Sequence, residues 1–208
     1  MKKLLFLIGV CAIGIGTIQA QRIYKPNGGK KQSTSSSSSS TSNASVSTYT
    51  SGTTVNIPKK EYRVRVAGTN SYWDIPGHPN SQSRAGDVQM WTYDNGADRK
   101  VMFIPAGDGF YYIKFQHNGY YLDVKGGNLK KDVHVQIYQP NRSNAQRFKV
   151  LHLGNGKFKF LTVNGLALDC EGGGWKNGTK IQLWNDKGSR GQTFEIVQAG
   201  NGAKFYGN

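Results

Sequence analysis

The sequence predicts an all-β domain built from three copies of one unit. Two observations carry this prediction. Certain residue types return along residues 61–208 at near-constant steps, and the segments between them alternate with the two-residue period of strands rather than the 3.6-residue period of helices. The repeats are predicted at approximately 61–110, 111–157 and 158–208. Any binding chemistry in the unit is therefore expected up to three times.

Four kinds of residue mark the repeat. An aspartate returns at steps of 49 and 46, an aromatic at 47 and 46, a phenylalanine at 45 and 46, and a glycine-centred turn at 47 and 46. The phenylalanines are predicted core residues, and the glycines supply the positive φ angles of tight turns. The members are Asp74, Asp123 and Asp169; Trp91, Tyr138 and Trp184; Phe103, Phe148 and Phe194; and residues 107–109, 154–156 and 200–202.

Each repeat contains four strand-like segments, which the third repeat illustrates. An alternating run from Phe158 is followed by a short segment with Asp169, by a segment with Gln182 two residues before Trp184, and by a strand from Phe194. A unit of about 46 residues cannot bury its apolar face alone, but three copies about a pseudo-threefold axis close a barrel without exposed edges. The predicted fold is a β-trefoil of twelve short strands.

The residues before the repeats predict export. Residues 1–20 combine Lys2 and Lys3 with an apolar run and a small Ala20, the pattern of a signal peptide. We therefore expect a secreted, periplasmic or cell-surface protein. A lipoprotein anchored through Cys11 is the alternative, although the residue before that cysteine is the bulky Val10.

Residues 21–60 predict a disordered linker. They are rich in serine and threonine and hold six lysines and arginines but no acidic residue. So few apolar side chains cannot offset the chain entropy that folding would cost. The folded domain is then expected to begin at residue 61.

Charge and composition exclude several functions. The net charge is +15, but residues 61–208 carry only +7, which lacks the dense patch expected of a nucleic-acid binder. Cys170 is the single cysteine after residue 20, so no internal disulfide is expected, and we predict a buried structural thiol. The four histidines show no metal-ligand spacing, and acids that recur once per repeat suit a copied binding site better than a catalytic pair. We therefore expect no enzyme and no cofactor.

The repeated residues resemble the ricin-type β-trefoil lectin family, which includes the family 13 carbohydrate-binding modules. The resemblance covers residues 61–208, and the first repeat diverges most. The middle repeat matches through residues 122–124, 126–127, 136–138 and 146–148. The third repeat matches best, through Leu168-Asp169, Gly172-Gly173, Asn177-Gly178-Thr179, Gln182-Leu183-Trp184 and Gln192-Thr193-Phe194.

The resemblance implies a carbohydrate site in each repeat. The aspartate would accept hydrogen bonds from adjacent sugar hydroxyls, the aromatic would stack on the C–H face of the sugar ring, and amide side chains would complete the site. The implied residues are Asp169, Trp184, Gln182 and Asn185 in the third repeat; Asp123, Tyr138, Gln136 and Asn144 in the middle repeat; and Asp74, Gln89 and Trp91 in the first repeat.

The sequence also departs from the family pattern. Ala145 and Gly191 stand where the family commonly has asparagine, and Val101 is taken to replace the late glutamine of the first repeat. Cysteines that brace many family sites are missing. Each marker also has a structural explanation: an aspartate can fix a turn, and an aromatic can pack half-buried. The loop residue Trp175 fits either an extra sugar platform or packing on its own repeat.

The function expected from these observations is a secreted carbohydrate-binding lectin. The partner would be a glycan or polysaccharide, with no cofactor, no nucleic acid, no spanned membrane and a monomeric domain. Two alternatives stay open. One is a protein-binding β-trefoil, such as an inhibitor or adhesion factor that uses a loop. The other is a salt-sensitive binder of sulfated glycans or another polyanion.

Overall fold

The computed structural model describes residues 52–77 and 86–207 of the 208-residue chain. The predicted signal peptide and most of the predicted linker lie outside these residues. Within the described ranges no helix is long and apolar enough to cross a membrane. The strands are β1 Thr53–Thr54, β2 Tyr62–Val66, β3 Ser71–Asp74, β4 Gly86–Asp87, β5 Gln89–Thr92, β6 Val101–Pro105, β7 Phe110–Phe115, β8 Tyr121–Val124, β9 Val135–Tyr138, β10 Phe148–Gly154, β11 Lys157–Leu161, β12 Ala167–Cys170, β13 Ile181–Trp184 and β14 Phe194–Gln198. The 3-10 helices are Ala97–Arg99, Lys125–Gly127, Asn144–Gln146, Glu171–Gly173 and Arg190–Gln192.

Six strands, two from each repeat, form a closed antiparallel barrel. Their order is β10-β11-β14-β2-β6-β7. The ring closes because β10 also pairs with β7, where Phe148 faces Tyr111 and Lys149 faces Phe110. Closure satisfies the backbone of every barrel strand on both sides and removes the sheet edges that would otherwise be exposed.

The other two strands of each repeat form a hairpin. These hairpins are β3–β5, β8–β9 and β12–β13, each paired antiparallel over four residue pairs. Barrel and hairpins together account for twelve strands, four per repeat, so the predicted β-trefoil is confirmed. The short strands β1 and β4 are additional, and each pairs with a strand of another repeat.

Large side chains fill the barrel where the three repeats meet. The predicted core residues Phe103, Phe148 and Phe194 are all buried. Trp73, from the first hairpin, packs its ring 5.0 Å from that of Phe160 and 5.4 Å from that of Phe194. Trp73 therefore packs the hairpin of one repeat against barrel strands of another, so the repeats share a single core.

Strand register corrects one predicted correspondence. Phe194 faces Val66 at the end of β2, and Val101, rather than Phe103, faces Phe115 at the end of β7. Val101 is therefore the first-repeat counterpart of Phe148 and Phe194. The step from residue 101 to residue 148 is 47, which agrees with the aromatic and glycine-turn steps.

The packed domain begins earlier than the sequence predicts. The sequence predicts that residues 52–60 belong to the linker, but Thr53 and Thr54 pair with β10, and Val55 and Ile57 are buried in the core. The phenol of Tyr111 holds this segment: it accepts from the Ile57 N–H at 3.1 Å and donates to the Val55 carbonyl at 2.8 Å. Two apolar residues among polar ones are too few to establish a strand period in the sequence, although their burial is what attaches the segment.

Tyr111→Phe is expected to lower the free energy of unfolding by about 1–3 kcal/mol, because the buried Ile57 N–H and Val55 carbonyl lose their partner. Denaturant unfolding followed by tryptophan fluorescence measures the change. Tyr112→Phe is the matched control, since the Tyr112 hydroxyl has only an exposed 3.5 Å contact with the Arg142 carbonyl. Equal stability of both variants with the parent would contradict this anchoring role.

Candidate functional site

The register of each hairpin places an aspartate directly opposite a glutamine. The pairs are Asp74 with Gln89, Asp123 with Gln136, and Asp169 with Gln182. Alternate residues of a strand face the same side, so the aromatic two residues after each glutamine shares a face with the pair. The repeated spacing seen in the sequence thus reflects one cross-strand constellation.

In the middle repeat this constellation opens into a pocket of about 330 Å³. Asp123 lies at its floor and is only 4% exposed, and Gln136 donates to Asp123 Oδ1 at 3.0 Å. Tyr138 is 41% exposed, so its ring is available to a ligand. The lining is Asp123, Gly126, Gly127, Gln136, Tyr138, Asn141, Ser143 and Ala145.

A second, fully buried glutamine holds the pocket's outer loop. Gln146 Oε1 accepts from the backbone N–H groups of Asn141 and Arg142 at 3.0 and 3.1 Å, and its amide donates to the Gln139 carbonyl at 2.9 Å. These bonds fix the loop that carries the lining residues Asn141 and Ser143. Gln146 therefore acts on the pocket as a brace.

Paired glycines shape the opposite wall of each pocket. Gly126 and Gly127 have φ angles of 64° and 69°, and Gly172 and Gly173 have 64° and 70°. A Cβ at any of the four would meet nothing within 4 Å. The backbone conformation, rather than lack of space, therefore explains why glycine is needed at these positions.

The third repeat has the same arrangement around a pocket of about 250 Å³. Gln182 and Ser189 contact the Asp169 carboxylate at 3.4 and 3.5 Å. Gln192 repeats the brace, accepting from the Lys187 N–H at 2.8 Å and donating to the Asn185 carbonyl at 2.9 Å. The lining is Asp169, Gly172, Gly173, Gln182, Trp184, Lys187, Ser189 and Gln192.

Burial affects the pKa of the aspartate at the floor of each pocket. It raises the pKa of Asp123 and of Asp169, while hydrogen bonds from the neighbouring glutamines act against the rise. Each carboxylate is thus partly desolvated and bonded by neutral amide or hydroxyl donors, and among the described residues it forms no salt bridge. Such a group is suited to accept hydrogen bonds from a ligand's hydroxyls.

The first repeat has an arginine at the position that Gln146 and Gln192 occupy in the other two repeats. Arg99 stands two residues before Val101, where the other repeats have Gln146 and Gln192 two residues before a phenylalanine. Its buried guanidinium bonds Asp74 Oδ1 at 2.8 Å, and Gln89 donates to Asp74 Oδ2 at 2.8 Å. The late glutamine is therefore replaced by Arg99, which corrects the assignment of Val101.

The ion pair between Arg99 and Asp74 distinguishes the first constellation from the other two. Arg99 also pairs with Asp94, and both oxygens of Asp74 are engaged by protein donors. Burial raises the pKa of the Asp74 carboxyl, opposed by the Gln89 bond and the Arg99 charge. Trp91 remains 37% exposed on the same face, but the acceptor it would work with is already occupied.

Two predicted site residues lie elsewhere, and others were missed. Asn144 is exposed and absent from the middle pocket's lining, and Asn185 lines a separate pocket with Asn164 and Asp186. The missed lining residues are Asn141 and Ser143 in the middle pocket and Lys187 and Ser189 in the third pocket. Both pairs stand three and five residues after the aromatic, so alignment of the repeats on that aromatic could have found them.

The remaining candidates outside the pockets are structural. Trp175 is half-buried against the core, with the Arg190 guanidinium 4.4 Å from its ring centre. Cys170 is buried, and burial raises the pKa of its thiol well above the ordinary value. Among the described residues no group of three or more histidine, cysteine, aspartate and glutamate side chains could hold a metal ion.

Comparison with solved structures supports the fold. The designed threefold-symmetric protein ThreeFoil superposes with a TM-score of 0.62 at 23% identity, covering 66% of this chain and 98% of that one. A Macrolepiota procera ricin B-like lectin in complex with lactose gives 0.56 at 17% identity, covering 69% and 99%. An exo-β-1,3-galactanase from Clostridium thermocellum gives 0.61 at 21%, covering 67% of this chain but only 30% of that one.

Comparison of the sequence gives the family. No curated protein is similar enough to count as a match. The family model described as ricin-type beta-trefoil lectin domain-like matches residues 52–138 and 89–184, well over half of the chain and all three repeats. The two pockets also lie within the matched hairpins and the loops that follow them. The protein therefore belongs to the ricin-type β-trefoil lectin domain-like family, whose fold supports carbohydrate binding.

Proposed function

We propose that this protein is a carbohydrate-binding lectin that holds a sugar ring in each of two pockets, in its middle and third repeats. The observation that carries the proposal is the shared constellation: a buried aspartate opposite a glutamine, with an aromatic on the same face, beside an open cavity. The pockets measure about 330 and 250 Å³, at the small end for ligand sites, which suits one sugar ring each.

The chemistry of the pockets fits sugar hydroxyls and sugar C–H groups. Each ionised aspartate can accept two hydroxyl donors, and the glutamine opposite fixes its orientation. Tyr138 or Trp184 then covers the apolar face of the ring. Affinity at one pocket is expected near 0.1–1 mM, about −4 to −5.5 kcal/mol.

Two pockets on one domain favour clustered ligands. A polymeric or branched glycan that reaches both pockets would gain roughly 10²–10⁴ in apparent affinity by simultaneous engagement. This gain is the advantage of copying a weak site. We further propose an extracellular or cell-surface setting, supported by the signal-like residues 1–20 and by the Ser/Thr-rich stretch after them.

Two of the related structures are lectins with a bound sugar, which supports a binding role. The solved neighbours include a Polyporus squamosus lectin bound to a sialylated epitope, at 15% identity and a TM-score of 0.58, covering 69% of this chain and 50% of that one. The Macrolepiota lectin carries lactose. In this chain the acidic residues of the two pockets sit singly, each beside an aromatic, which favours a binding role without hydrolysis.

Asp123→Asn and Asp169→Asn are each expected to weaken glycan binding at their own pocket by roughly tenfold or more, because the charged acceptor is lost. Isothermal titration or protein-observed NMR with a monosaccharide panel measures this. The double variant is expected to abolish detectable binding, and unchanged affinity in that variant would refute the site assignment.

The same variants are expected to keep or gain stability at neutral pH. Burial raises the pKa of both carboxyls, so the folded state binds their protons more tightly than the unfolded state does. Their contribution to stability is therefore unfavourable above the folded-state pKa and vanishes as pH falls to the unfolded-state value. Denaturant unfolding measured from neutral pH down to about pH 4, the ordinary carboxyl range, should show the advantage of the variants shrinking as pH falls.

Tyr138→Ala is expected to weaken binding at the middle pocket by roughly threefold to tenfold with little change in stability, because the ring is exposed yet stacks on the sugar. The matched control is Tyr206→Ala, which removes an exposed ring outside both pockets. A glycan titration in which both variants bind like the parent would contradict the stacking role.

Arg99→Ala is expected to cost about 3–5 kcal/mol of unfolding free energy, because it leaves the buried Asp74 without its cation. Lys100→Ala is the control, since Lys100 makes only a partly exposed 3.4 Å pair with Glu61. Both are measured by chemical denaturation. Glycan affinity of folded Arg99→Ala protein should equal that of the parent, and a loss there would show that the first repeat also binds sugar.

A further inference from the structure

Two lysine ammonium groups lie beside the aromatic ring of the third pocket. Lys131 Nζ is 3.9 Å from the centre of the Trp184 ring, and Lys187 Nζ is 5.8 Å from it. Lys187 lines the pocket, whereas Lys131 reaches the same indole from outside its lining. Both side chains are exposed, so a ligand over the indole would meet two solvated cations.

No lysine or arginine is among the residues that line the middle pocket. Three residues beyond its aromatic stands Asn141, at the position that Lys187 occupies in the third repeat. Both residues line their pockets. The two pockets therefore share a floor and differ in the charge at the rim.

Lys131 reaches Trp184 because of how the repeats pack. It belongs to the middle repeat, in the loop between β8 and β9. The Asp132 N–H donates to the Leu183 carbonyl at 2.9 Å, and the Leu183 N–H donates to the Val133 carbonyl at 2.8 Å. These bonds hold the loop alongside β13, so the position of the ammonium rests on backbone pairing as well as on a flexible side chain.

The nearby acidic groups leave the two cations available. Asp186 is paired with Lys159, and Glu171 lies 3.6 Å from His134. The exposed carboxylate of Asp132 follows Lys131 in the chain, yet among the described residues neither Lys131 nor Lys187 forms a salt bridge. Asp169, at the floor, feels the Lys187 charge, which lowers the pKa of its carboxyl against the effect of burial.

We propose that the third pocket selects a saccharide bearing an anionic group, a carboxylate or a sulfate ester, while the middle pocket binds neutral sugars. The inference rests on the proposed function, because it names the sugar class of one of the two pockets. Lys131 and Lys187 are its specificity-determining residues. They pair with the anion at the rim, where Asp169 is too deep to repel it strongly.

The geometry also orients the ligand. Asp169 accepts hydrogen bonds from hydroxyls at the floor, so the anionic substituent must lie on a ring carbon remote from those hydroxyls. The Trp184 ring lies within 6 Å of both ammonium groups, so a sugar against this ring brings its substituents close to Lys131 and Lys187. The acidic sugar would then lie between the indole and the rim, with its charge toward the two lysines.

The test uses sugars that differ only in charge. Methyl galactoside, the methyl glycoside of galacturonic acid with its carboxylate free, and methyl galactoside 6-sulfate are titrated into the full chain, with glucose and glucuronate as a second pair. The Asp123→Asn variant isolates the third pocket, and Asp169→Asn isolates the middle one. Binding is followed by NMR through the indole Nε1–H signals and, for the middle pocket, through backbone amides near Tyr138.

In the isolated third pocket we expect an anionic sugar to bind about 3- to 10-fold more tightly than its neutral partner at low salt. The ratio should fall toward one at about 0.5 M salt, because the cations are exposed. It should also fall toward one in Lys131→Gln/Lys187→Gln. Lys157→Gln, which removes the same charge outside both pockets, should leave the ratio unchanged.

The reciprocal variant tests the rim position directly. Asn141→Lys places in the middle pocket the residue that the third pocket has, and it should create a preference for the acidic sugar there. A preference for either anion supports the proposal, and comparing the two anions identifies which group fits.

Equal affinity for charged and neutral sugars at the third pocket would overturn the inference and leave the proposed function intact. A preference that survives loss of both lysines would also overturn it. Failure of every sugar to bind at either pocket would instead refute the proposed function.

Discussion

The pairing of β7 with β10 is the constraint on which the rest of the structure depends. It joins the last barrel strand of the middle repeat to the first strand of the same repeat and closes a ring of six strands. Without closure, each four-stranded unit would expose a sheet edge and an apolar face that its own short strands cannot cover. The common core around Trp73 and the three hairpins exists because the ring brings the repeats together.

The closed barrel positions the hairpins, and the hairpins position the aspartate, glutamine and aromatic side chains. Barrel closure fixes where each hairpin starts, and four paired residues then place an aspartate opposite a glutamine. The same register puts the aromatic on the same face. The grouping of aspartate, glutamine and aromatic therefore follows from hairpin geometry and recurs in each hairpin. The contacts that the aspartate makes in each repeat depend on the residues of the loop that follows the hairpin.

The loop after the hairpin differs among the three repeats, and the surroundings of the aspartate differ with it. In the middle repeat Gln146 braces it and the pocket lining holds no cationic side chain. In the third repeat Gln192 does the same, and two lysines add positive charge beside the aromatic. In the first repeat Arg99 replaces the glutamine and neutralises Asp74. The position at which Gln146 and Gln192 brace the pocket loops is occupied in the first repeat by Arg99, which completes a buried ion pair.

The sequence by itself determined the fold and the aspartate, glutamine and aromatic residues that recur on each hairpin. Periodic residues such as Asp123 and Tyr138 predict the trefoil and its hairpins because strand alternation and repeat length are local properties of the chain. What only the tertiary structure decided depends on contacts between distant segments. Examples are the Tyr111 phenol that attaches residues 52–57, Arg99 at Asp74, and Lys131 of one repeat beside Trp184 of the next. No local pattern encodes such contacts, since the residues involved meet only after the barrel has closed.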